Sequence, residues 1–272
     1  MKNWLSNQNI IVTGASSGIG KELCRLLITR YHANVIGVAR SEEKLQTFKN
    51  ELGEFCHQFS YRVFDISDKK AWFAFANELQ IQNTSIRLLI NNAGMFPSFQ
   101  TVENTSDETM EKVMQTNFYS ITYATQAFSA LLFADKTGAI VNISSSAALC
   151  TIVGTAAYSA SKSALKAYTE ALALDKRDNY VGIIYPGTTK TELFRNDIQT
   201  ENSALDKIAM PAHKMAKKIL KNIRKRKKRA VVGWDAKLMH FVAKIAPVKG
   251  LFLIRYVMKK SKSKVFKKIF NQ

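Results

Sequence analysis

Tyr158 and Lys162 lie four residues apart in the stretch YSASK, with only small residues between them. On a helix, positions i and i+4 share a face, so both side chains can reach into one cleft. A free phenol ionises near pH 10, a poor match to chemistry at neutral pH, but a fixed ammonium beside it favours the phenolate and lowers that value. Tyr158 so placed can give a proton to a carbonyl oxygen or take one from an alcohol. By itself the pair is one turn of an ordinary helix; its meaning depends on what else the chain brings to the same place.

A second set of chemically suggestive residues stands near the N-terminus. TGASSGIG (13–20) follows a short apolar run and opens onto KELCRLLITR, a helical stretch. Glycines at 14, 18 and 20 permit a tight turn, close approach of the backbone to a pyrophosphate, and close packing of helix on strand; the helix N-terminus adds free N–H groups and a positive dipole. Gly14, Ser16, Ser17, Gly18, Ile19 and Gly20 are therefore candidate dinucleotide contacts. The second apolar run ends in Ala39, Arg40 and Ser41. An acid there would hydrogen-bond a ribose 2′-OH and repel a 2′-phosphate. Arg40 offers instead a planar, permanently charged fork suited to phosphate, so NADP(H) is expected in preference to NAD(H).

These groups need a frame. The runs NIIVT (9–13), NVIGVA (34–39), SYRVF (60–64), IRLLI (86–90), GAIVNI (138–143) and YVGIIY (180–185) alternate with segments long enough for crossover helices. Runs apolar on both sides of the pleat fit a sheet covered on both faces. The expected fold is α/β, a Rossmann-like doubly wound parallel sheet in a single domain. RAVVGW (229–234) is expected as a further edge strand after the helical pattern AHKMAKKILKNI (212–223). A chain of 272 residues is ample for such a core. Cys24, Cys56 and Cys150 are scattered and odd in number, which suits a reducing compartment and buried apolar roles, and no metal site is expected. The first apolar run is too short for a secretory signal, so export is not expected.

Together TGASSGIG, NNAG (91–94), IVNISS (140–145), YSASK (158–162) and PGTTKT (186–191) occur in an order and at spacings that resemble the short-chain dehydrogenase/reductase family, over residues 9 to about 195. The resemblance implies an NADP(H)-dependent oxidoreductase that interconverts a carbonyl and an alcohol, the nicotinamide carrying the hydride and the protein supplying the geometry. It implies that Asp65 contacts the adenine amino group with Ile66 beside the ring. Asn92, Ala93 and Gly94 would lie against the adenine ribose, and Pro186, Gly187, Thr189 and Thr191 would fix the nicotinamide carboxamide. Ser145, 13 positions before Tyr158, matches the serine that hydrogen-bonds the carbonyl oxygen, with Ser144 and Ser146 as alternative assignments. Tyr158 matches the proton donor, and Lys162 the residue that lowers its pKa and holds the nicotinamide ribose. Asn117 matches the asparagine whose locally opened helix holds a relay water. An intact set of Asn117, Ser145, Tyr158 and Lys162 speaks against a fold kept only as a cofactor-sensing binding protein.

The formal charge of +19 is unevenly spread. Residues 1–202 hold nineteen Lys and Arg against nineteen Asp and Glu, whereas residues 203–272 hold twenty-one basic residues against only Asp206 and Asp235. A catalytic domain, 1–235, is thus expected to continue into a basic extension, 236–272. Over 236–246, Lys237, His240 and Lys244 recur on one side of a helix, and Leu238, Met239, Phe241, Val242 and Ile245 on the other. Pro247 and Gly250 are expected to interrupt the helix before LFLIRYVM resumes it. No stretch reaches the roughly 20 apolar residues that span a bilayer, whereas apolar faces backed by lysines suit helices lying in the interface of an anionic membrane.

The expected partners are that membrane surface and a small-molecule carbonyl or alcohol substrate, the expected location the cytoplasm and the cytoplasmic face of a membrane. The substrate is expected to be a hydrophobic, lipid- or steroid-like ketone or aldehyde; soluble acyl carrier thioesters or sugars are the alternative. Nucleic acid is disfavoured because the basic cluster 224–229 has no aromatic platform beside it. The resemblance implies a homo-oligomer, dimer or tetramer, although the extension departs from the family's usual ending. Residues 192–210 are expected to form the substrate lid.

Overall fold

The computed structural model describes residues 3–194, 208–261 and 264–270. The lid expected over 192–210 falls for the most part, residues 195–207, outside them. The strands are β1 (Asn9–Thr13), β2 (Asn34–Ala39), β3 (Phe59–Val63), β4 (Leu88–Asn91), β5 (Ala139–Ile143), β6 (Tyr180–Pro186), β7 (Thr189–Lys190), β8 (Met210–Pro211) and β9 (Arg229–Val232). Seven of them make one parallel sheet in the order β3-β2-β1-β4-β5-β6-β9, while β7 and β8 pair with each other. Every residue of β4 and β6 is buried, the pattern a parallel sheet covered on both faces requires. The edge strand expected over 229–234 ends at Val232, because Gly233, at φ 116°, turns the chain into the next helix.

Helices α1 (Gly18–Tyr31) and α7 (Ala212–Arg224) cover one face; α3 (Lys69–Ile81), α5 (Ser120–Phe133) and α6 (Ala156–Asp175) cover the other, and α2 (Glu42–Glu51) and α4 (Asp107–Met114) complete the crossovers. In α7, Met215, Ala216, Ile219, Leu220 and Ile223 are buried, while Lys214, Lys217, Lys218 and Lys221 are exposed. Each large side chain so buried contributes ~1.5–3 kcal/mol. Ser41, Asp68 and Ser106 cap α2, α3 and α4 by accepting main-chain N–H groups of Lys44, Ala71 and Thr109. Between α4 and α5 the chain stays helical but widens at Gln115–Tyr119 into a π-helical turn.

The basic extension folds into α8 (Trp234–Ile245), α9 (Lys249–Lys260) and α10 (Lys264–Phe270). Gly250 does not break a helix, as its position after Pro247 suggested. It lies buried inside α9, where a Cβ would fall 2.8 Å from a Val242 methyl, so its bareness lets α9 close on α8. α8 rests on β9 and the turn at 146–148, burying Asp235 and Ala236. Leu238, Phe241 and Ile245 remain 54, 61 and 66% exposed. Phe266 and Ile269 of α10 pack with Met258 of α9 against Phe99, Ile152 and Val153 of the main body.

Candidate active site

The strand order reverses between β1 and β4, and the helices that follow them lie on opposite faces of the sheet. In open α/β sheets this is where a crevice opens. Here it is a cleft of ≈680 Å³. Gly14, Ser16, Ser17, Gly18 and Ile19 line one end of it. Gly14 takes φ 68° and donates its N–H to the Val38 carbonyl at 2.8 Å, which folds the turn tightly onto β2. Gly20 lies behind this wall rather than in it: a Cβ there would overlap the Gly14 carbonyl, so its part is to let α1 approach the turn. Ser17 stands at the N-cap of α1 without a side-chain cap bond, so it leaves the first-turn N–H groups to other acceptors.

Asn92, Ala93 and Gly94 form the next part of the wall. The main-chain N–H groups of Asn92 and Ala93 both donate to Thr13 Oγ1 at 2.9 Å, and Asn92 Nδ2 donates to the Thr13 carbonyl at 3.0 Å. Thr13, the last residue of β1, therefore ties the two strand ends together. It opens the motif TGASSGIG, but the glycine spacing concerns only the residues after it.

Arg40, Asp65 and Ile66 border the cleft beyond β2 and β3. Arg40 is largely exposed and meets Asp65 Oδ2 at 3.5 Å, so the two residues face each other across the rim. Asp65 Oδ1 accepts from the Ser67 N–H at 2.9 Å and the Ser67 hydroxyl at 2.7 Å. Burial alone would raise the Asp65 carboxyl, but the Ser67 bonds and the Arg40 guanidinium outweigh it and hold the group below its ordinary value. A glycine turn with room only for main chain, an uncapped helix N-terminus and an exposed guanidinium fit a dinucleotide that carries an additional phosphate.

At the other end of the cleft Tyr158 and Lys162 project from α6, both buried. Ser145 lines the cleft beside the Tyr158 phenol, and its Oγ accepts from the Ala147 N–H at 3.2 Å. Ser144 also lines the cleft, but its hydroxyl donates to the Lys162 carbonyl at 3.1 Å, and Ser146 begins the short turn that follows. Lys162 Nζ donates to the Ile143 carbonyl at 3.3 Å and lies 5.8 Å from the centre of the Tyr158 ring. The spacing argument expects this ammonium to lower the phenol's pKa. Burial dominates instead: it pushes Tyr158 up to about 12, against a smaller opposing pull from the neighbouring Ser145 hydroxyl, and pushes Lys162 down to about 8.

Asn117 sits in the π-helical turn, wholly buried, and does not line the cleft. Its Oδ1 accepts from the Met95 N–H at 2.8 Å, while its Nδ2 donates to the Met95 carbonyl at 2.9 Å and the Ser161 hydroxyl at 3.1 Å. The side chain thus clamps the chain after Gly94 to α6. Gly94 itself has no spare room, since a Cβ would fall 3.0 Å from Asn117 Oδ1 and 3.2 Å from Lys162 Nζ.

Pro186, Gly187, Thr189 and Thr191 close the cleft from the β6 side. Sequence reasoning leaves out much of the apolar wall, Phe96, Phe99, Cys150 and Ile152; Leu193, from the segment expected as the lid, and Met239 of α8 complete it. The Phe96 ring stands edge-on to Tyr158 at 5.2 Å and Phe99 edge-on to Phe96 at 4.9 Å. Phe96, Phe99, Cys150 and Ile152 lie in loops without periodicity, so no pattern marks them. Among the described residues there is no cluster of His, Cys, Asp or Glu that could hold a metal ion.

A family model described as short chain dehydrogenase matches residues 8–202. Dehydrogenase/reductase SDR family member 7B of Rattus norvegicus is 33% identical over 218 residues, covering 76% of this chain and 66% of the rat protein, so the match spans just under two thirds of that relative. Benzil reductase ((S)-benzoin forming) of Saccharomyces cerevisiae is 30% identical over 70% of this chain and 75% of its own. Among solved structures, a Shigella flexneri 2a short chain dehydrogenase complexed with NADP superposes with a TM-score of 0.76 at 25% identity, covering 85% of this chain and 99% of the other.

Proposed function

The chain belongs to the short-chain dehydrogenase/reductase family of oxidoreductases, and from that premise we propose that it is an NADP(H)-dependent enzyme that reduces a hydrophobic ketone or aldehyde at an anionic membrane surface. The observation that carries the reading is that Ser145, Tyr158 and Lys162 together line one end of a cleft whose other end is the glycine turn. When bound, NADPH supplies the hydride. Gly14, Ser16, Ser17, Gly18 and Ile19 hold its pyrophosphate against α1, with Gly20 behind them, and Arg40 meets its 2′-phosphate, which favours NADP(H) over NAD(H). Asp65, Ile66, Asn92, Ala93 and Gly94 border the adenosine half, and Pro186, Gly187, Thr189 and Thr191 the nicotinamide half.

Ser145 Oγ hydrogen-bonds the carbonyl oxygen, where negative charge develops. Tyr158 Oη, protonated at neutral pH, gives that oxygen its proton. Lys162 Nζ places a positive charge beside the phenol and within reach of the ribose hydroxyls. Because the Asn117 side chain is committed to Met95 and Ser161, its part in a proton relay runs through the main chain of the widened turn.

The apolar wall of Phe96, Phe99, Ile152, Leu193 and Met239 favours a hydrophobic substrate over a sugar. The name of the yeast relative, a reductase of an aromatic diketone, points the same way. The membrane part rests on Trp234, Leu238, Phe241, Ile245, Phe252 and Tyr256, all exposed on α8 and α9 among lysines. No described helix is long and apolar enough to cross a membrane, and the placement proposed is in the plane of the interface. The reading predicts that Tyr158→Phe, which keeps the ring against Phe96, lowers carbonyl reduction by a factor on the order of 10²–10⁴ while leaving the NADPH Kd unchanged. Steady-state rates and fluorescence titration check this; full activity in the variant would remove Tyr158 from the chemistry.

A further inference from the structure

The segment that follows β6 is gripped from behind by the end of β9 and the first turn of α8. Gly187 donates its N–H to the Val232 carbonyl at 2.8 Å, and Thr188 donates its N–H to Asp235 Oδ2 at 2.6 Å. The carbonyls of the same two residues accept from the Thr189 hydroxyl at 3.0 Å and the Met210 N–H at 2.9 Å. Asp235 is only 7% exposed, although it is one of just two acids in the last seventy residues. A carboxylate so buried needs compensation. Besides the Thr188 N–H, it has the first turn of α8, where the helix dipole favours negative charge.

Space has been left for this group. A Cβ on Gly187 would overlap the carboxylate, and one on Gly233 would fall 2.6 Å from Oδ1. Gly187 and Thr188 line the cleft, and Asp235 does not. Resting on the functional reading above, we propose that Asp235 is a positioning residue: it sets the Gly187–Thr188 main chain as the wall for the nicotinamide half of the cofactor, and joins that wall to the first turn of the extension.

The test compares NADPH with 2′,5′-ADP, which carries the adenine half and the additional phosphate but no nicotinamide, on the full-length chain. Asp235→Ala removes the acceptor of a charge-assisted hydrogen bond. It is expected to weaken NADPH about tenfold and to abolish most of the fluorescence enhancement of the bound nicotinamide, with 2′,5′-ADP affinity unchanged. Asp235→Asn, which keeps an acceptor oxygen and the volume, is expected to restore NADPH binding to within about threefold of wild type. Should the alanine variant fail to fold, as judged by circular dichroism, Asp235→Ser is too short to reach the Thr188 N–H and carries the same expectation. Wild-type NADPH affinity and fluorescence in the alanine or serine variant, or equal losses for both ligands, would overturn the proposal. A wild-type chain that binds no NADPH would instead bring down the functional reading, and the inference with it.

Discussion

Lys162 keeps its ammonium at 3% exposure, donating to the Ile143 carbonyl at 3.3 Å, so desolvation sets its behaviour. Its pKa in the fold, about 8, lies below the ordinary 10.5. Between those values the unfolded chain binds more protons than the folded one, so stability rises with pH through that window, and below about pH 8 the cost of the buried charge is felt in full. That cost is on the order of 3 kcal/mol. Lys162→Met is therefore expected to be more stable than wild type near pH 7, to lose most of that advantage by about pH 10, and to reduce carbonyls poorly. Denaturant melts at the two pH values check the sign; a variant less stable than wild type at neutral pH contradicts it. The i, i+4 placement of Tyr158 and Lys162 was legible in the sequence because it is local. Their pKa values were not, because the burial that sets them comes from Phe96, Ala147 and other residues far away in the chain.

At the scale of elements, α10 bears on the cleft through aromatic contacts. Phe266 stands edge-on to Phe99 at 5.7 Å, Phe99 to Phe96, and Phe96 to Tyr158. Phe266→Ala is expected to loosen the Phe99 side of the wall. The KM for a bulky ketone should then rise about tenfold, equivalent to ~1.4 kcal/mol, with little change for a small ketone and none in NADPH affinity. Equal changes for both ketones would show that α10 has no part in shaping the wall. The seven strands of the main sheet were readable as apolar runs to within two residues, most plainly the central ones, where burial on both faces leaves an uninterrupted signature, whereas the two-residue strands β7 and β8 left none. The orientation of α8 was not. Periodicity divides a helix into faces without saying which one turns inward, and here Ala236 packs against the body while Leu238, Phe241 and Ile245 face outward.

For the whole molecule, a neutral body and a basic extension can be read from charge counts alone, since the imbalance is confined to the last seventy residues. What the counts leave open is whether the extension stands apart, and the packing of Ala236, Met258, Phe266 and Ile269 shows that it does not. Removing it wholesale would strip the body of packing, so its surface is better tested by a triple change, Leu238→Ser, Phe241→Ser and Phe252→Ser, confined to exposed positions. Full-length protein is expected to co-sediment with anionic vesicles at low salt, less at high salt, and little with neutral vesicles, each surface cation adding ~1 kcal/mol. The triple variant should lose most of this binding without losing NADPH affinity. Equal sedimentation of both proteins would mean that the exposed apolar residues do not meet lipid.

The packing of Gly187 against Asp235 also constrains how such a chain can change over generations. A side chain at 187 cannot be accommodated while the carboxylate occupies that space, and loss of the carboxylate strands the Thr188 N–H. Position 187 therefore opens to a side chain only after the carboxylate at 235 has gone. An ancestor that had already given up the carboxylate would have opened that route, so the order of the two substitutions, and not their sum alone, decides which descendants remain viable.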